Sequence, residues 1–158
     1  MEYMPLKEKI VKTLIRQKQT LATAESCTGG LLAHTLTNVP GASACFMLGV
    51  VAYDNAAKTK ILKIPASTLK QCGAISAQVA KHMAVNVCKI LNTDFGIGIT
   101  GISGPGGGTK TKPVGLTYIA ASYHGKTIVR QCRFKGTRQH NKNQAMRAAL
   151  RILWQMLA

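Results

Sequence analysis

A serine placed between a strand and a helix can serve as a nucleophile, and this chain has one in Ala24-Glu25-Ser26-Cys27-Thr28-Gly29-Gly30. A tight turn there sets the hydroxyl close to helix N–H donors, which can stabilise a developing oxyanion. The plainer reading is a serine that only caps the helix. Nucleophilic serine also needs a base, and Tyr53-Asp54-Asn55-Ala56-Ala57-Lys58 follows a second apolar run. A lysine can act as base where burial or a neighbouring cation lowers its pKa. Tyr53 would relay a proton or hold the lysine. Each again has a plainer reading: Tyr53 as a strand-end aromatic, Lys58 as a solvated helix residue.

Three other patterns suggest chemistry more weakly. Gly96-Ile97-Gly98-Ile99-Thr100-Gly101 matches a dinucleotide fingerprint, but its glycines sit within a strand, and no acid lies about 20 residues on to bind a ribose. Ser67-Thr68-Leu69-Lys70 has the spacing of an acyl-enzyme nucleophile but follows Pro65, where a serine is more simply a helix cap, and its partner motifs are absent. Gly104-Pro105-Gly106-Gly107-Gly108-Thr109-Lys110 misses P-loop spacing. It is either a backbone cradle for an anion or a flexible loop.

Composition removes several classes of function. The five cysteines form no C-x-x-C pair, and the four histidines lack ligand spacing, so neither a disulfide framework nor a metal site is expected. The acids are Glu2, Glu8, Glu25, Asp54 and Asp94, too few and too scattered for a paired-carboxylate hydrolase. The net charge is +16, and no acid follows Asp94. Such a surface attracts anions. The cations form no adjacent run and aromatics make up 5%, so a dispersed solvated charge is expected rather than a specific nucleic-acid site. No stretch reaches the ~18 apolar residues of a membrane span. Charge within the first 17 residues argues against a signal peptide, so a cytoplasmic protein is expected.

These residues need elements to hold them. Apolar spacing predicts a helix over 6–16, a strand over 20–26 and a helix over 31–36. A buried strand is predicted over 45–53, helical composition over 55–63, and a short helical turn from Pro65 to Lys70. Ser76 caps a long helix carrying Val79, Met83, Val87 and Leu91. A strand over 94–102 empties into a loop over 103–113, and a hairpin follows, turning at Gly125. The last helix starts near Arg138. Strands interleaved with helices predict one α/β layered domain over residues 1–158.

Taken in order, AESCTGGLLA (24–33), VPGAS (39–43), VVAYDNAAK (50–58), CGAISAQVA (72–80), GITGISGPGGGT (98–109) and KPVGLTYIA (112–120) resemble the C-terminal domain of CinA, the competence/damage-inducible protein. The resemblance implies a three-layer α/β/α sandwich with a mixed, mostly parallel sheet, assembled as a homodimer or higher homo-oligomer. It implies an amidohydrolase that converts nicotinamide mononucleotide to nicotinic acid mononucleotide and ammonia, with no cofactor and no metal. By motif position it implies Ser26 as nucleophile, assisted by Tyr53, Lys58 and Thr100. Cys27, Thr28, Gly29, Gly30, Gly101, Gly104 and Gly106 would line the substrate site. The alternative is a non-catalytic member that binds a nucleotide or a protein partner. Leu48, Asp54 and Ser103 depart from residues common in the family, and none of them removes a proposed catalytic group.

Overall fold

The computed structural model describes residues 4–158; Glu2, counted among the acids, lies outside them. The element order is α1 (Leu6–Gln17), β1 (Leu21–Glu25), α2 (Leu31–Thr37), a 3-10 turn (Ala42–Ala44), β2 (Phe46–Val51), α3 (Asn55–Lys60), α4 (Ala66–Cys72), α5 (Ala77–Leu91), β3 (Phe95–Gly101), β4 (Leu116–Tyr123), β5 (Lys126–Arg133) and α6 (Arg138–Leu157). The five strands form one sheet in the order β2-β1-β3-β4-β5. β1 runs parallel to both β2 and β3, whereas β4 is antiparallel to β3 and β5. Four strands therefore point one way and β4 alone opposes them, so the sheet is mixed, as the family resemblance implies.

Helices cover both faces. Ile10, Leu14, Leu32, Leu36, Ala149 and Leu153, from α1, α2 and α6, bury one face with Leu21, Ile97, Ile99 and Ile119. Leu62, Val79, Met83 and Val87 bury the other with Ala22 and Ala24. α5 lies very close to β3. A Cβ on Gly96 would stand 2.1 Å from the Ala84 carbonyl oxygen, and one on Gly98 would stand 2.4 Å from that of Ala80. Gly96 and Gly98 of the fingerprint-like motif thus serve helix-on-sheet contact. Beyond the carboxyl ends of β1 and β3 the chain leaves in opposite senses, β1 toward β2 and β3 toward β4. In open α/β sheets such a divergence leaves a crevice suited to a ligand.

Candidate active site

Ser26 stands at this crevice. Its N–H donates to the Ile99 carbonyl at 3.0 Å, and its own carbonyl accepts from the Gly29 N–H at 3.0 Å. The turn needs Gly29 and Gly30 at φ +61° and +97°, where a side chain would be strained. Behind it, the buried Glu25 carboxylate accepts from the N–H groups of Leu32 at 2.9 Å and Ala33 at 3.1 Å. Two N–H donors of the first α2 turn are thereby satisfied, and the strand end is bound to the helix start. The sequence reading assigned Glu25 no role. The one signal was an acid just before a strand-to-helix turn.

Lys58 arrives from the neighbouring strand end. Asp54 caps α3 by accepting from the Ala56 N–H at 2.7 Å, which starts the helix so that Lys58 points inward. Lys58 is 1% exposed. Its Nζ lies 3.0 Å from Ser26 Oγ, 2.9 Å from the Ala52 carbonyl and 3.1 Å from the Tyr53 carbonyl. Protonated, the ammonium donates to all three. Neutral, the amine has two N–H groups for the carbonyls and a lone pair for the serine hydroxyl. Burial pushes the Lys58 pKa down from 10.5, against smaller opposing pulls from Asp54 and Cys27. Burial acts the other way on the Cys27 thiol, pushed up to about 11, so it stays protonated beside the serine.

A cavity of about 270 Å³ opens over the pair, lined by Ser26, Cys27, Tyr53, Lys58, Thr100, Gly101, Gly104 and Gly106 among others. Eight of the residues singled out from the sequence therefore meet in one place. Thr28, Gly29 and Gly30 form the turn behind the wall and do not line it. Tyr53 reaches Lys58 only through its main-chain carbonyl. Its side chain is 59% exposed, and its hydroxyl accepts from Arg138 Nη2 at 2.9 Å. The Thr100 hydroxyl donates to the Ala74 carbonyl at 2.8 Å. Arg138, which also lines the cavity, donates from Nη1 to the Gly104 carbonyl at 2.7 Å. It was missed in the sequence, where only its place as the first residue of α6 marks it. Among the described residues no three or more of His, Cys, Asp and Glu gather as metal ligands would.

A buried lysine on a serine hydroxyl, at the crevice of an α/β sheet, has the groups that nucleophilic catalysis requires. The family described as the CinA C-terminal domain matches residues 4–157. This chain belongs to that family. It is 51% identical over 138 residues to a competence-damage inducible protein of Moorella thermoacetica, covering 87% of this chain and 33% of the relative. A protein of the same name from Thermoanaerobacter pseudethanolicus is 47% identical over 148 residues, covering 94% and 36%. The chain thus spans about a third of the length of these relatives. Among solved structures, the CinA superfamily protein from Klebsiella pneumoniae 700603 superposes with a TM-score of 0.93 at 32% identity, covering 96% of this chain and 95% of that one. The competence/damage inducible protein CihA from Agrobacterium tumefaciens gives 0.91 at 34% identity, with both chains covered completely. The CinA fold is thus the three-layer arrangement described above.

Proposed function

We propose that this CinA domain hydrolyses the carboxamide of nicotinamide mononucleotide, and that Ser26 forms the acyl-enzyme. The observation that carries the reading is the 3.0 Å contact between Ser26 Oγ and the buried Lys58 amine. Neutral Lys58 takes the hydroxyl proton as Ser26 Oγ attacks the carboxamide carbon, and the N–H of Cys27, which lines the cavity beside Ser26, steadies the oxyanion. Lys58 then returns the proton to the leaving nitrogen. The C–N bond breaks, ammonia departs and an ester to Ser26 remains. Water adds to that ester with Lys58 again taking the proton, and Lys58 returns it to Ser26 Oγ as the ester C–O bond breaks, releasing the acid and the free serine. The substrate's negative charge suits the cavity: Arg138 stands at its rim and the glycine-rich loop supplies backbone donors.

The test is ammonia release from nicotinamide mononucleotide, run beside nicotinamide and nicotinamide adenine dinucleotide. The mononucleotide is the expected substrate. Ser26→Ala is expected to lower kcat by roughly 10³-fold or more with an unchanged thermal melt, since it deletes the nucleophile and leaves the turn intact. No release from any of the three by the wild-type chain, with the mononucleotide still bound, would favour a binding role.

A further inference from the structure

Two segments picked out in the sequence have no part in the chemistry above: CGAISAQVA and KPVGLTYIA. The fold brings them together. The Lys112 ammonium donates to the carbonyls of Cys72 at 2.8 Å and Ile75 at 2.7 Å. Within the same turn, the Gly73 carbonyl accepts from Ser76 Oγ at 2.9 Å and the Ala74 carbonyl from Thr100 Oγ1 at 2.8 Å. Four successive carbonyls are thus each held by a side chain. Lys112 is itself fixed at the other end: its N–H donates to Thr109 Oγ1 at 3.0 Å, and its carbonyl accepts from the Thr109 N–H at 2.7 Å. Gly73 fits the contact: its φ is +76°, and a Cβ there would lie 2.8 Å from Lys112 Nζ, so the ammonium would have to shift.

The turn and the loop are two walls of one cavity. Ala74 and Ile75 line it on one side, Gly104, Gly106 and Gly107 on another, and Lys112 does not line it. We propose that Lys112 is a positioning residue: its ammonium locks the Cys72–Ser76 turn to the glycine-rich loop and so sets the width of the substrate cavity. Lysine suits the task because its compact ammonium carries three donors and reaches two carbonyls at once. Both carbonyls are neutral, so the bonds are charge-assisted without an acid. Thr100 belongs to the same clamp, since its hydroxyl is given to Ala74.

The kinetic consequence rests on the proposed amidase reading, but the clamp itself does not, and two measurements separate them. In amide hydrogen exchange on the ligand-free protein, Lys112→Met is expected to speed exchange across residues 72–79 while the core strands keep their protection. Unchanged exchange there overturns the proposal, whatever the enzyme does. In the amidase assay, Lys112→Met is expected to raise KM for nicotinamide mononucleotide about tenfold, with kcat reduced far less and its pH profile unmoved. Nicotinamide riboside, as an inhibitor, is expected to weaken in parallel. Lys112→Arg is expected to recover much of the loss. Thr100→Val combined with Lys112→Met is expected to cost less than the two effects added, because both loosen one turn. A loss confined to the phosphate-bearing substrate overturns positioning in favour of an anion contact. An equal fall in kcat and folded fraction, with KM unmoved, overturns it in favour of bulk stability. Wild-type protein that releases no ammonia defeats the amidase reading alone, and exchange then decides the clamp.

Discussion

Lys58 keeps its amine where no bulk water supports a charge, and that one fact sets its pH behaviour. Burial holds its folded pKa below 10.5, so the neutral base becomes populated at lower pH than for a solvated lysine. The kcat/KM of the proposed amidase reaction is therefore expected to rise with pH through the lowered value and then level off. Stability follows the same proton. At low pH folded and unfolded chains both carry it, and the fold bears the cost of a buried charge. Between the lowered value and 10.5 the unfolded chain binds the proton and the folded chain does not, so stability is expected to rise with pH in that window. Lys58→Arg keeps the charge but cannot give up the proton at working pH. It is expected to lose most turnover and the alkaline rise while still binding the mononucleotide in calorimetry. Wild-type kcat in that variant would remove Lys58 as the base.

The elements that carry these residues are tied by contacts that can be broken singly. Glu25 secures the start of α2 with two main-chain bonds. Glu25→Ala leaves two N–H groups without their acceptor and is expected to cost about 2 kcal/mol in urea unfolding, with kcat of the proposed reaction reduced because the turn carrying Ser26 is loosened. Glu25→Gln is expected to recover part of that loss. β3 meets α5 through Gly98, where a methyl group would press on the main chain of Ala80 and Ala84 at 2.4 and 2.7 Å. Gly98→Ala is expected to destabilise by roughly 3 kcal/mol, because backbone on a packed helix has little room to retreat. A Gly98→Ala midpoint equal to wild type would show that α5 can move away from the sheet.

The whole molecule carries +16 with few acids to interrupt the field. An anionic mononucleotide is drawn toward such a surface, and salt screens that attraction over about 8 Å at physiological strength. The kcat/KM of the proposed amidase reaction is expected to fall as ionic strength rises, mainly through KM. Nucleic acid is expected to bind weakly at low salt without sequence preference and to release near physiological salt, because cations spread over many elements release counterions without reading bases. Tight, sequence-selective binding in moderate salt would contradict that expectation. Among the described residues no helix is long and apolar enough to cross a membrane.

Much of the fold was legible because the information is local. The apolar runs over 20–26, 45–53 and 94–102 hold β1, β2 and β3, with their ends displaced by a residue or two where main-chain bonding stops. Ser76 caps α5 as its place before an apolar helix predicts, accepting from the Val79 N–H at 3.3 Å. The helical composition over 55–63 outlasts α3, which ends at Lys60, because the chain turns to bury Leu62 and Ile64 under α5. The site was legible as separate segments, AESCTGG, YDNAAK and GITGISGPGGG, whose ordered resemblance to a family let them be grouped. Their geometry was not legible. Lys58 and Ser26 are 32 residues apart in the chain, and Arg138 and Tyr53 are 85 apart, so their contacts exist only once β2, β1 and β3 align and α6 packs across. The same holds for side-chain direction. Nothing in YDNAAK says that the Tyr53 phenol turns toward Arg138 while its carbonyl takes Lys58, nor that Thr100 gives its hydroxyl to Ala74. By itself the sequence determined which groups were available and on which elements they ride, because periodicity and capping are properties of neighbours along the chain. Tertiary structure decided which of those groups touch and how deeply each is buried, because distance and desolvation arise only when remote segments exclude water together.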